Sequence, residues 1–168
     1  MKTVALFAAI AGGAALLGCA PTPAPSTGDP GYKVVTDSEG RHAAEIDATG
    51  KGAVLCAWML YSAAEQIGET CFKGQDSAYQ AELRNSLARI DRFIIANSPE
   101  RVTQAQLDAR RTTSRRENLA AASRTGGLCT GEMRELYTAF RTVGADGLRA
   151  GVDDLLSIPR KPVFNPCV

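Results

Sequence analysis

Asp76-Ser77-Ala78-Tyr79-Gln80-Ala81-Glu82-Leu83-Arg84-Asn85-Ser86-Leu87-Ala88-Arg89-Ile90-Asp91-Arg92-Phe93-Ile94-Ile95-Ala96-Asn97 is the stretch that decides the fold class. Tyr79, Leu83, Leu87, Ile90 and Ile94 recur every three or four residues, which puts them on one face of a helix, with Arg84, Ala88 and Arg92 on the other. Asp76 or Ser77 suits its start as a cap. Toward the amino terminus, Cys56, Leu60, Ala63 and Ile67 repeat at helical spacing and predict a preceding helix over about residues 53–67, closed by Gly68 or running on to Thr70. Downstream, Ser98 with Pro99 after it predicts a helix start, because Pro is tolerated at the first helical position, and this helix runs to about Arg124 before Gly126-Gly127.

Thr130 predicts the cap of a fourth helix, whose core arc is Met133, Leu136, Tyr137, Phe140 and Val143 and whose end is Gly144. A shorter fifth helix over about 146–157 presents Leu148, Val152, Leu155 and Leu156, and Pro159 and Pro162 keep the carboxy-terminal residues extended. Before the helices, Tyr32-Lys33-Val34-Val35-Thr36, a turn at Asp37-Ser38-Glu39-Gly40 and the residues to Ile46 predict a small β-hairpin. The expectation is an all-α antiparallel bundle of four to five helices with a small N-terminal hairpin.

The amino terminus has a different build. Lys2 precedes an apolar run over residues 4–17 that ends in small residues, the build of an export signal and too short for a span of roughly 20 apolar residues. Pro21 disfavours cleavage after Ala20, which leaves cleavage before Cys19. Leu16-Leu17-Gly18-Cys19 resembles the lipobox of bacterial lipoproteins. The resemblance implies that residues 1–18 are a removed signal peptide and that Cys19 carries a diacylglyceryl group and an amide-linked acyl chain, enough for stable anchoring. Ala20 in place of Asp resembles sorting to the outer membrane, so the expected location is its periplasmic face, with the inner membrane as the alternative. Residues 19–31 are then the lipidated Cys and a Pro-rich spacer, and residues 32–168 the helical periplasmic domain.

Loss of Lys2 leaves 18 basic and 18 acidic residues, so no net charge drives the chain toward nucleic acid. With Cys19 assigned to lipid, Cys56, Cys71, Cys129 and Cys167 remain, an even number in an exported chain and hence two expected disulfides. Cys56 and Cys71 lie roughly 22 Å apart along a helix, beyond bridging reach. Helices running up, down and up bring Cys71 to Cys129 and leave Cys56 for Cys167. No two cysteines form a chelating pair and His42 is the lone histidine, so neither metal nor other cofactor is expected.

Conventional nucleophilic catalysis has no evident base, and phosphate-loop, Ser-x-x-Lys and His-Glu-x-x-His motifs are absent from the sequence. Paired carboxylates could still cleave glycans. Of these, Glu132 with Glu135 and Asp153 with Asp154 read as solvated surface. Glu65 and Glu69 share a helix face with Trp58 and Tyr61, and two like charges near a helix C-terminus need a cation. Either this face is core salted by an Arg, or Trp58, Tyr61, Glu65, Glu69 and Arg116 form a binding face. Arg116 enters because it falls among Val102, Ala105, Ala109, Thr112 and Ala120, the small apolar face expected of the third helix. The function expected is a membrane-anchored, non-catalytic binding, adaptor or envelope-structure protein with an envelope protein or cell-wall partner. The alternatives are a small cell-wall glycan hydrolase using Glu65 or Glu132 and a carrier of an apolar ligand in a cavity between helices one, two and four.

Overall fold

The computed structural model describes residues 31–167 of the 168-residue chain, so Cys19, the leader and most of the Pro-rich spacer lie outside the described residues. Strands β1 (Tyr32–Thr36) and β2 (His42–Asp47) pair antiparallel, with Tyr32 opposite Asp47 and a bulge between Val35 and Thr36. The turn between them is tied by the Asp37 carboxylate, which accepts from the backbone of Glu39 and Arg41.

Four helices come next: α1 (Val54–Cys71), α2 (Ser77–Asn97), α3 (Gln104–Ala122) and α4 (Gly131–Leu155). α4 holds both of the last two helices expected from sequence, joined across a kink at Gly144. There φ is 74° and ψ 171°, a backbone conformation that residues with a Cβ rarely adopt. Among the described residues no helix is long and apolar enough to cross a membrane.

α1, α2 and α4 form the packed body. Two apolar clusters lie along it. Val54, Trp58, Leu87, Ile90, Ile94 and Val152 belong to one, and Ala64, Ile67, Tyr79, Leu83, Tyr137 and Leu148 to the other. The five residues of the α2 stripe are all buried, because their spacing and the helical repeat coincide. At Gly68 a Cβ would come within 2.7 Å of the Tyr137 ring, so only glycine lets α4 approach α1 so closely. Tyr137 in turn stacks on Phe72.

Disulfides staple both ends of the body. Cys71 joins Cys129 and Cys56 joins Cys167, with Cα separations of 5.4 and 5.3 Å. The carboxy-terminal tail is extended and built in: the Leu55 amide donates to Val163, the Asp47 amide to Asn165, and Arg160 is buried beneath them.

Three expectations about the helices are corrected. α3 begins at Gln104, not at Pro99. Arg101 takes a left-handed φ of 52° that interrupts a helix, and Thr103 with Gln106 forms a capping box that satisfies the start two residues later. The face of α3 built from Ala105, Ala109, Thr112 and Ala120 is exposed. The inner face is instead Leu107, Arg111, Ser114, Arg115, Asn118 and Ala122, chosen by ion pairs and hydrogen bonds where small side chains offered little apolar area. Val143, expected in the core arc, is 57% exposed: it is the last residue before the Gly144 kink, where the helical repeat that would carry the arc onward is interrupted.

Candidate functional site

The central position of α1 makes its Trp58–Glu69 edge a wall against which α2 and α3 both lie. Trp58 is only 8% exposed, and its indole N–H donates to the Asp91 carboxylate at 2.7 Å. Asp91, buried on α2 within the apolar stripe, also accepts from Gln104 at 3.0 Å and from Arg111 at 2.8 Å. Arg111 reaches Asp108 as well. One turn further along α3, Arg115 bridges the two α1 carboxylates, Glu65 at 3.0 Å and Glu69 at 2.9 Å. Gln66 completes the seam by donating to the Arg115 carbonyl and accepting from Asn118.

The cation demanded by Glu65 and Glu69 is therefore Arg115. Arg116, one residue and about 100° further round the helix, is exposed and donates to Thr113. Of the face read from sequence, Trp58, Tyr61, Glu65 and Glu69 stay together on α1, and Arg116 does not join them. Tyr61 is half-buried with its ring edge-on to Phe140, and burial pushes its hydroxyl pKa up. Glu132 and Glu135 are exposed, and Asp153 and Asp154 pair with Arg89 and Lys51. His42 is exposed, 4.0 Å from Glu45. Among the described residues no group of side chains could hold a metal ion.

Since α3 meets the body chiefly along one polar seam, open space lies on both of its sides. Between α2 and α3 is a cavity of about 540 Å³ over Glu65, Leu87, Ala88 and Asp91, lined also by Arg84, Arg92, Thr112 and Arg115. Between α1, α3 and the tail is one of about 430 Å³, mainly apolar, lined by Leu55, Trp58, Met59, Leu107 and Phe164. Met59 and Phe164, at its lip, are exposed. The space between α1, α2 and α4, where sequence reading put a carrier's cavity, holds Ile67, Leu83, Leu87, Tyr137 and Val152.

Burial raises the Glu65 carboxyl above its ordinary range, and Glu69 beside it adds to the rise, more than Arg115 and Arg111 take back. A carboxyl that is raised on folding binds a proton more readily folded than unfolded. Its contribution is thus present in acid and is lost as pH climbs from the ordinary glutamate value through the raised one. Glu65→Gln is expected to remove that part of the slope, so urea midpoints of variant and parent converge in acid and separate in the variant's favour toward neutrality. A parent curve parallel to that of Glu65→Gln across this window would contradict the assignment.

The residues that sequence reading missed are Asp91, Arg111 and Arg115. Asp91 had left a signal, a lone acid next to Ile90 in the apolar stripe. The two arginines had none, being two of several spread round α3.

These features define a disulfide-stapled helical domain with a peripheral helix and a ligand-sized cleft on either side of it. No family model, no curated protein and no solved structure matches the chain.

Proposed function

We propose that this chain is a lipid-anchored binding protein of the bacterial envelope, held at the periplasmic face of the outer membrane through Cys19, which grips a partner in the clefts beside α3 without catalysing a reaction. The observation that carries the reading is the stand-off of α3: it buries Leu107 and Ala122, is pinned by Arg111 and Arg115, and leaves two cavities of several hundred Å³ open, a size typical of ligand pockets. The lipobox-like Leu16-Leu17-Gly18-Cys19 supports the anchor.

Both halves are testable in cells. Cys19→Ala is expected to abolish palmitate incorporation and to move the protein out of the membrane fraction. Photo-crosslinking side chains at Thr112, in the polar cleft, and at Phe164, in the apolar one, are expected to give discrete adducts that the same group at exposed Thr138 on α4 does not. Adducts at neither cleft position, or equal yields at Thr138, would refute binding beside α3.

One observation favours a second reading, a glycan hydrolase: Glu65 has a raised carboxyl and lines an open cleft together with Asp91. Against it, Glu65 is bonded by Arg115, and Asp91 already accepts from three donors. Release of soluble fragments from purified cell wall that disappears with Glu65→Gln would replace binding by hydrolysis.

A further inference from the structure

Four arginines line the α2/α3 cleft against three carboxylates. The acids are satisfied internally: Arg115 bonds Glu65, and Arg111 bonds Asp91 and Asp108. Arg84 and Arg92 have no hydrogen-bond or ion-pair partner among the described residues, and both are exposed on α2. They sit eight residues apart on one helix face, about 12 Å at the helical rise. Between them the floor is Leu87, Ala88 and the Asp91 carboxylate that Arg111 already holds, and Thr112 faces it from α3.

We infer that this cleft binds an extended acidic peptide segment, clasping two carboxylates about 12 Å apart between Arg84 and Arg92. The inference rests on the proposed reading that the clefts beside α3 hold a partner. Guanidinium groups take carboxylates in bidentate pairs, so two unpartnered arginines fit two acidic side chains. An extended chain advances roughly 3.3 Å per residue and returns to the same side every second one, so acids at positions i and i+4 match the spacing and face the same way. The lining as a whole sets four arginines against three carboxylates, too small an excess for a nucleic-acid strand, which carries a phosphate about every 3.4 Å along a duplex.

The test uses the described domain in its full chain and a blocked nine-residue peptide with Glu at its third and seventh positions and Ser elsewhere. Binding is measured at low salt by calorimetry and by the emission of Trp58, the chain's single tryptophan, which bonds the cleft residue Asp91. Saturable binding is expected, weakened about tenfold by Arg84→Gln, about tenfold by Arg92→Gln, and to a similar degree when the two Glu are adjacent in the peptide. Both arginines are exposed and unpartnered, so the variants keep the fold, which circular dichroism verifies. Absence of heat and of emission change, affinity unchanged in both variants, or equal binding of a nine-nucleotide single strand overturns the inference. If the peptide fails while crosslinks at Phe164 persist, the acidic ligand is wrong and the binding reading stands. If crosslinks vanish at both clefts, the reading itself has failed.

Discussion

Replacing Arg160 with Met is expected to lower the free energy of unfolding by about 3–5 kcal/mol, the range for a buried pair that loses one partner. Arg160 is 2% exposed and pairs with the enclosed carboxylate of Asp47 from 113 residues away. It also donates to the carbonyls of Leu155 at 2.9 Å, Ile158 at 2.9 Å and Gly52 at 2.8 Å, and lies over the Phe93 ring. One guanidinium therefore joins the hairpin, the entry to α1, the end of α4 and the tail. Methionine fills similar space but leaves the buried Asp47 carboxylate with no counterion, held only by its Thr49 donors, and takes the guanidinium from three carbonyls.

The same geometry dictates the pH dependence. Burial works to raise the Asp47 carboxyl, yet its bonds from Thr49 and Arg160 outweigh burial and hold it below the ordinary range. A lowered carboxyl contributes stability that is present above its unfolded value of about 3.9 and is lost as pH falls through the folded value. Without Arg160, burial has less opposing it. The gap between parent and Arg160→Met is then widest near neutrality and narrows below about pH 4. Adding Asp47→Asn to Arg160→Met is expected to recover part of the loss, because the stranded charge goes with it. Urea denaturation at several pH values measures all three. A loss under about 1 kcal/mol at pH 7 would show that the buried pair is not the restraint described.

The second large effect concerns the disulfides. Removing Cys56–Cys167 by paired substitution to Ala opens a loop of 111 residues, and removing Cys71–Cys129 one of 58. Chain entropy depends only weakly on loop length, so each should cost about 4–5 kcal/mol, within the 2–5 typical of native disulfides. The two differ in what they couple to. Cys56–Cys167 holds the same tail that Arg160 pins, so combining Cys56→Ala/Cys167→Ala with Arg160→Met should cost less than the sum by about 1 kcal/mol or more. Cys71–Cys129 lies at the other end of the bundle and should add to Arg160→Met nearly in full. Equal additivity for both disulfides would mean that the tail is not a shared restraint.

Much of the architecture is legible in the sequence, because helical periodicity encodes burial directly where apolar side chains are large. The α2 stripe, the α4 arc around Tyr137, the break at Gly144 and the hairpin are local patterns with local causes. Even the disulfide partners derive from them, since once helices alternate in direction the rise per residue settles which cysteines share an end. α3 defeated the same reading. Its large apolar side chains are few, small ones scatter round it, and the Thr103-Gln106 box competes with the Ser98-Pro99 signal; propensity alone weights both.

What only the tertiary structure decided is where charge meets charge. Glu65 and Glu69 announced the need for a cation, but Arg115 and Arg116 differ by a rotation of about 100°, and packing of α3 against α1 chose between them. Asp91 became the acceptor for Trp58, Gln104 and Arg111, and Arg160 the counterion of Asp47, through contacts that are remote along the chain. Hydrophobic burial is written into periodicity because it needs only a face. An ion pair needs two particular atoms within about 3 Å, and that proximity exists only after the chain has folded.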